Sequence, residues 1–161
     1  VDHSAESPGQ RLLALWQRLS PLPGGRWLFN QLLGHKVPYT GKLGARIDTL
    51  IPGRARVLLH ERRGLRNHLG SVHAIALANL CELASGLALL TALPEDVRGI
   101  VVRMEIDYLK KARGRLTAEG HANVPPVTSE LELAVEATVR DALGDLVTVG
   151  QVTWRLGRRT L

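Results

Sequence analysis

The stretch VHAIALANLCELASGLALLTAL, running from Val72 to Leu93, decides how this chain folds. Leu77, Leu80, Leu83, Leu87 and Leu90 recur at helical spacing, and Pro94 supplies a stop. Ala74, Ala78, Glu82 and Gly86 are spaced by four, and Ala76, Ala84 and Ala88 add further small side chains. Such short side chains are expected to let a curved sheet approach closely. A helix that is apolar nearly all round is buried on nearly every side. A sheet wrapped around this helix is therefore expected, rather than a helix lying on a surface. Asn79, Glu82 and Ser85 interrupt the run, and hydrocarbon would strip them of water, so no membrane insertion is expected.

Outward from the helix, the chain supplies that sheet. Glu130 to Arg140 places Leu131, Leu133, Val135, Ala137 and Val139 on one face, against Glu132, Glu136, Thr138 and Arg140 on the other. This period of two is the clearest strand in the chain. Asp141 to Asp145 reads as its hairpin turn, and Leu146 to Leu156 as the return. Further strands are expected over Leu43 to Leu50, Ala55 to Glu61, Val101 to Leu109 and Arg115 to Ala122. Ahead of them, Arg11 to Leu19 and Trp27 to Leu33 read as two short helices that cover an apolar surface, bounded by prolines and glycines. The expected class is α+β: a curved antiparallel sheet around one long central helix, with two short N-terminal helices. One domain over residues 1–161 is expected, with 1–9 frayed and Pro8-Gly9 as a stop, 10–35 the helical lead-in and 42–157 the core.

Composition narrows the partners without choosing one. The formal net charge is +6, which favours a polyanion; phosphates of a cofactor, a nucleic acid or a membrane all qualify. An aromatic content of 4% argues against a base-stacking platform, so no specific nucleic acid is expected. The single cysteine, Cys81, leaves no intramolecular disulfide and no Cys-rich zinc site, as a reducing compartment allows. The opening residues carry no basic segment followed by an apolar run, and a cytoplasmic protein is expected. His68 and His73 have no Cys, Asp or Glu at a metal spacing, so no metal is expected.

The residues that point to chemistry are Asn67, Gly70, His73 and Glu82. Asn67 and Gly70 precede the helix and His73 falls at its start, where unpaired N–H groups, including those of Ala74 or Ile75, can hold an anion or an oxyanion. Glu82 lies nine residues beyond His73, roughly 13 Å at about 1.5 Å per residue. One chain cannot easily bring the two together, whereas two chains meeting antiparallel can. Burying a carboxylate without a partner raises its pKa, one route to a general base. The alternative is a glutamate paired with Arg or a backbone N–H at an oligomer interface. Asn79 reads as an interface or loop-contacting group, and Cys81 as a small core residue turned about 100° from Glu82. Lys110, Lys111, Arg113 and Arg115 form one basic cluster, Arg62, Arg63 and Arg66 a second, and Arg155, Arg158 and Arg159 a basic tail.

The segment Arg66-Asn67-His68-Leu69-Gly70-Ser71-Val72-His73-Ala74, followed by Glu82, resembles the signature of PaaI-like hotdog-fold thioesterases. It resembles the DUF4442 branch of that superfamily most closely, and the resemblance extends through Tyr108 to Gly114, covering roughly Lys42 to Trp154. It implies hydrolysis of an acyl-CoA by a homodimer or a dimer of dimers (a homotetramer), with CoA entering only as part of the substrate and no separate cofactor. It implies Glu82 as general base or nucleophile, and Asn67 of the partner subunit polarising the carbonyl. The Ala74 N–H would act as oxyanion donor, with Gly70 and His73 supporting the site. Lys110, Lys111, Arg113 and Arg66 would hold the CoA phosphates. Two positions depart from the pattern: Ala74-Ile75 replaces a glycine pair, and Gly86 stands where a hydroxyl often follows the carboxylate. Those departures keep open a non-hydrolytic acyl-CoA or acyl carrier protein binder on the same fold. A nucleic-acid binder, resting on charge alone, and a hotdog dehydratase are the remaining readings.

Overall fold

The computed structural model describes residues 7–158. Expectations for the first six residues and for Arg159 lie outside that range. The chain opens with α1 (Pro8–Leu19), and Pro8-Gly9 starts this helix instead of stopping the chain. Ser7 and Gln10 form a reciprocal capping box, and proline suits the first helical position because its missing N–H would be unpaired there anyway. α2 (Gly25–Lys36) follows, then a helix that the sequence did not announce, α3 (Pro38–Leu43). Pro38 opens α3, and Gly44 closes it in the left-handed conformation at φ +77°, so the first strand starts three residues later than expected.

The strands are β1 (Arg46–Ile51), β2 (Arg54–His60), β3 (Val97–Tyr108), β4 (Arg115–His121), β5 (Leu131–Arg140) and β6 (Leu146–Arg158). They form one antiparallel sheet in the order β1-β2-β4-β5-β6-β3. Its concave face holds α4 (Ala74–Ala92), packed mainly on β2, β4 and β5. This is the hotdog arrangement. By length and composition α4 could cross a bilayer, at a mean hydropathy of 1.7, yet 61% of that stretch is buried inside the fold.

Of the stripe spaced by four only Gly86 meets the sheet, where a Cβ would lie 2.9 Å from the Trp154 ring of β6. Ala74, Ala78 and Glu82 lie on the side of α4 that the sheet leaves uncovered, with Ile75 57% exposed among them. Contact is made by Ala84 against Gly120 and by Cys81 against Gly150, and Ala76 and Ala88 are buried as well. A Cβ on Gly120 would run into the Ala84 carbonyl, and one on Gly150 would sit 2.7 Å from Cys81 Cβ. The helix is therefore enclosed over its second half and open along one face of its first half. That open face, and not the buried one, carries Glu82.

The two sheet edges are treated differently. Along β1, the Asn30 side chain of α2 behaves like a neighbouring strand. Its Oδ1 accepts from the Ile47 N–H at 2.6 Å, and its Nδ2 donates to the Ile47 carbonyl at 3.1 Å. Asn30→Ala is expected to cost about 1–3 kcal/mol, because it orphans backbone groups that the fold shields from water. Urea denaturation checks this as a lower midpoint at unchanged slope. Among the described residues the β3 edge has no such cover. Ile100, Val102, Met104 and Tyr108 stand exposed along it, an arrangement that invites pairing with another strand.

Candidate active site

The loop between the short 3₁₀ turn Arg63–Leu65 and α4 is organised by Asn67. Its Oδ1 accepts from the Leu69 N–H at 2.9 Å, and from the Ser71 N–H and the Ser71 hydroxyl, each at 3.2 Å. Gly70, at φ +66°, makes the turn, and its N–H donates to the Asn67 carbonyl. With Oδ1 saturated, the amide orientation follows, and Nδ2 is the donor left for an incoming carbonyl or water. Gly70 thus shapes the loop. Ser71, 3% exposed, completes the arrangement, and its contribution was not anticipated.

His73 is the N-cap of α4, so the helix begins at Ala74, two residues later than the expected start at Val72. Its Nδ1 accepts from the Ile75 N–H at 3.1 Å, which makes Nδ1 the unprotonated nitrogen of the ring. The Ile75 N–H is accordingly taken. Among the described residues the Ala74 N–H has no acceptor, so it is the open donor at this helix start. The Tyr108 hydroxyl, at the end of β3, donates to the Ala74 carbonyl at 3.0 Å and pins the sheet to the helix start. Sequence reading assigned Tyr108 no role, since a contact across 34 residues leaves no local signature. Asn67, Ser71, Ala74, Tyr108, Lys110 and Lys111 line a shared cavity of about 310 Å³.

Glu82 stands apart from this group, two helical turns further along α4. It is half-buried, has no ion-pair or hydrogen-bond partner among the described residues, and burial raises its carboxyl pKa. Asn79, one turn earlier on the same face, has a buried Oδ1 with no partner among the described residues. Cys81 faces the sheet, and burial pushes its thiol up to about 12, which removes it as a nucleophile. Position 86 lacks a hydroxyl for a spatial reason. A Cβ there would lie 2.9 Å from the Trp154 ring, which fills the space.

The basic residues divide. Lys110 Nζ is held by Asp141 at 2.7 Å and Asp145 at 2.5 Å, both from the β5–β6 turn, and these hydrogen bonds raise its pKa. Arg66 Nε pairs with Glu61 at 2.5 Å. Glu61 also accepts from the Gly114 N–H, and that bond, ahead of Arg66, lowers its pKa. Glu61 therefore ties the Asn67 loop to the β3–β4 turn. Among the described residues Arg113 reaches only the Leu69 carbonyl, at 3.4 Å, and Lys111 has no ion-pair partner. Two of the four expected phosphate ligands are thus already paired with carboxylates.

Comparison with known proteins agrees with this geometry. A family model described as a domain of unknown function, DUF4442, matches residues 25–156. A protein of Halobacterium salinarum, provisionally named an esterase, is 32% identical over 126 residues, covering 72% of this chain and 82% of that one. A solved structural-genomics protein superposes with a TM-score of 0.80 at 27% identity, over 94% of this chain and 99% of that one. A Pseudomonas aeruginosa protein of unknown function, described as a probable thioesterase, gives 0.74 at 25% identity, over 86% and 97%. The chain belongs to the DUF4442 family, within the hotdog-fold thioesterase superfamily.

Proposed function

We propose that this protein hydrolyses an acyl-CoA thioester to free acid and CoA, in a homodimer whose two sites each draw on both chains. The observation that carries this reading is the separation of complementary halves. A half-buried, unpartnered carboxylate sits on the open face of α4, while the unused donors of Ala74 and Asn67 lie two helical turns away. A second copy running antiparallel brings each carboxylate to the other chain's donors, and the uncovered β3 edge offers the strand to pair through. The likeness to proteins described as an esterase and a probable thioesterase supports the same class of reaction.

The chemistry follows from those groups. Ionised Glu82 takes a proton from water as its oxygen attacks the thioester carbonyl carbon; as a nucleophile, the carboxylate would attack directly and water would cleave the resulting anhydride. The Ala74 N–H and Asn67 Nδ2 of the partner chain donate to the developing oxyanion. Collapse breaks the C–S bond, and the CoA thiolate leaves and takes up a proton. Burial serves this role because a raised pKa strengthens the base, provided the pH lies above it.

Free-thiol release from short, medium, long and aryl acyl-CoAs tests the activity. Light scattering tests the assembly, with at least twice the 17.6 kDa chain mass expected. Absence of release on every ester, or a persistent monomer, removes the proposal. The fit of Gly86 against Trp154 favours one second reading, an acyl-CoA or acyl carrier protein binder without turnover. Tight CoA binding without thiol release would establish it.

The phosphate site is expected at Lys111 and Arg113, since Lys110 and Arg66 are occupied by carboxylates. Replacing Lys111 and Arg113 by Gln should raise KM for an acyl-CoA by about tenfold, in keeping with loss of charged hydrogen bonds. An acyl-pantetheine lacking those phosphates should be nearly unaffected. Equal losses on both substrates would make the two residues structural.

A further inference from the structure

Most of the exposed large apolar side chains fall into two groups, and the proposed dimer uses only one. Ile75, Ile100, Val102, Met104 and Tyr108 lie at the β3 edge and the start of α4. A second group, including Leu22, Trp27, Leu28, Leu32, Val37 and Tyr39, lies on the helical lead-in. Trp27 is 61% exposed and Tyr39 67%, large values for aromatic residues in a folded chain.

The same segment carries a one-sided charge. From Ser7 to Ile47 there is no Asp or Glu, while Arg11, Arg18, Arg26, Lys36, Lys42 and Arg46 contribute six positive charges. The rest of the sequence is nearly balanced, so this segment accounts for the net charge of +6. Among the described residues only Arg26 of the six forms a salt bridge, to Asp48 at 3.5 Å. Helical spacing sorts the side chains. α1 buries Gly9 and Trp16 and leaves Arg11, Leu15 and Arg18 outward. α2 buries Phe29 and leaves Trp27, Leu28 and Leu32 outward.

We infer that the helical lead-in docks this protein on the surface of a bilayer bearing anionic phospholipids, without crossing it. A lipid surface offers both things that the patch presents: negative headgroups for the cations, and an apolar boundary for tryptophan, tyrosine and leucine. A second copy is a poor occupant, because it would oppose six positive charges with six more. A nucleic acid satisfies the cations but gives Leu22, Leu28 and Leu32 nothing to bury against. The inference is independent of the thioester chemistry.

Sedimentation of the protein with vesicles tests it, comparing phosphatidylcholine alone with phosphatidylcholine mixed with phosphatidylglycerol. Partitioning onto the mixed vesicles should exceed that onto the neutral ones by tenfold or more, and should fall in high salt. Trp16 and Trp154 are each only 6% exposed, so a blue shift on binding reports Trp27. Arg11→Gln with Arg18→Gln should lower partitioning by about 30-fold, as expected for two cations near an anionic surface. The variant should retain wild-type mass and thiol release. Trp27→Ala should abolish the shift. Equal binding to both vesicle types, binding to neither, or wild-type partitioning by the double variant would each overturn the inference. So would tighter binding to duplex DNA than to the mixed vesicles, or a changed mass in the double variant, which would assign the patch to a second copy.

Discussion

Glu82→Gln should abolish about 100- to 10,000-fold of the thiol-releasing activity while leaving the chain folded, the range typical of a positioned acid–base group. Glutamine keeps the size and hydrogen-bonding capacity of the side chain but cannot take a proton from water. Burial raises the Glu82 pKa, and no cation among the described residues offsets it. The base is active only when ionised, so wild-type kcat/KM should rise with pH through that raised pKa. The residual activity of the variant should lack this acid limb. Stability should move the opposite way. In the unfolded chain Glu82 ionises at its ordinary pKa, whereas the folded chain holds the proton to higher pH. Stability is therefore lost as pH rises from the ordinary value through the raised one, and the loss persists above it. At pH above both values, Glu82→Gln should melt at or above the wild-type temperature, a trade of stability against function. A variant that keeps wild-type turnover would exclude Glu82 as the base. One that melts well below wild type would make Glu82 a structural residue.

Gly120→Ala should destabilise the protein by about 3 kcal/mol or more, at the upper end of what overpacking costs. The added Cβ would run into the Ala84 carbonyl, with the Ser85 nitrogen 2.7 Å away, so backbone meets backbone and no side chain can turn aside. Relief requires moving α4 off β4, and α4 carries Glu82, so activity should fall with stability. Gly157→Ala is the control, a strand glycine whose Cβ would find, among the described residues, only Glu130 Oε2 at 4.0 Å. That change should be neutral or slightly stabilising, through a less flexible unfolded chain. Thermal melts of both variants at one protein concentration measure the contrast. Equal melting temperatures would mean that helix and sheet are not held at this separation.

Much of the candidate site could be read locally. Asn67, Gly70 and Ser71 lie within five residues, and a short polar side chain beside a glycine makes a turn from its own neighbours. Glu82 was conspicuous because a charge within an apolar helix demands a partner or a shifted pKa. The fate of Lys110 was not readable, because its carboxylate partners are 31 and 35 residues away and reach it through the β5–β6 turn. Gly86 looked like a missing hydroxyl until Trp154, from the last strand, occupied its space.

By itself the sequence determined the long helix, the alternation of Leu131 to Val139, the hairpin at Asp141 to Asp145 and the stop at Pro94, because each depends on neighbouring residues. Tertiary structure alone decided which face of α4 stays open. A helix apolar on every side has no periodicity to mark its buried face, so the strands that reach it make the choice. Gly120 and Gly150 let β4 and β6 close on Ala84 and Cys81, and Glu82 is left on the opposite side. The cover on β1 was settled in the same way, by an Asn30 that meets Ile47 only once α2 has folded back along the sheet edge. Contacts of this kind join residues far apart in the chain, and strand register, which no short window of sequence contains, brings them together.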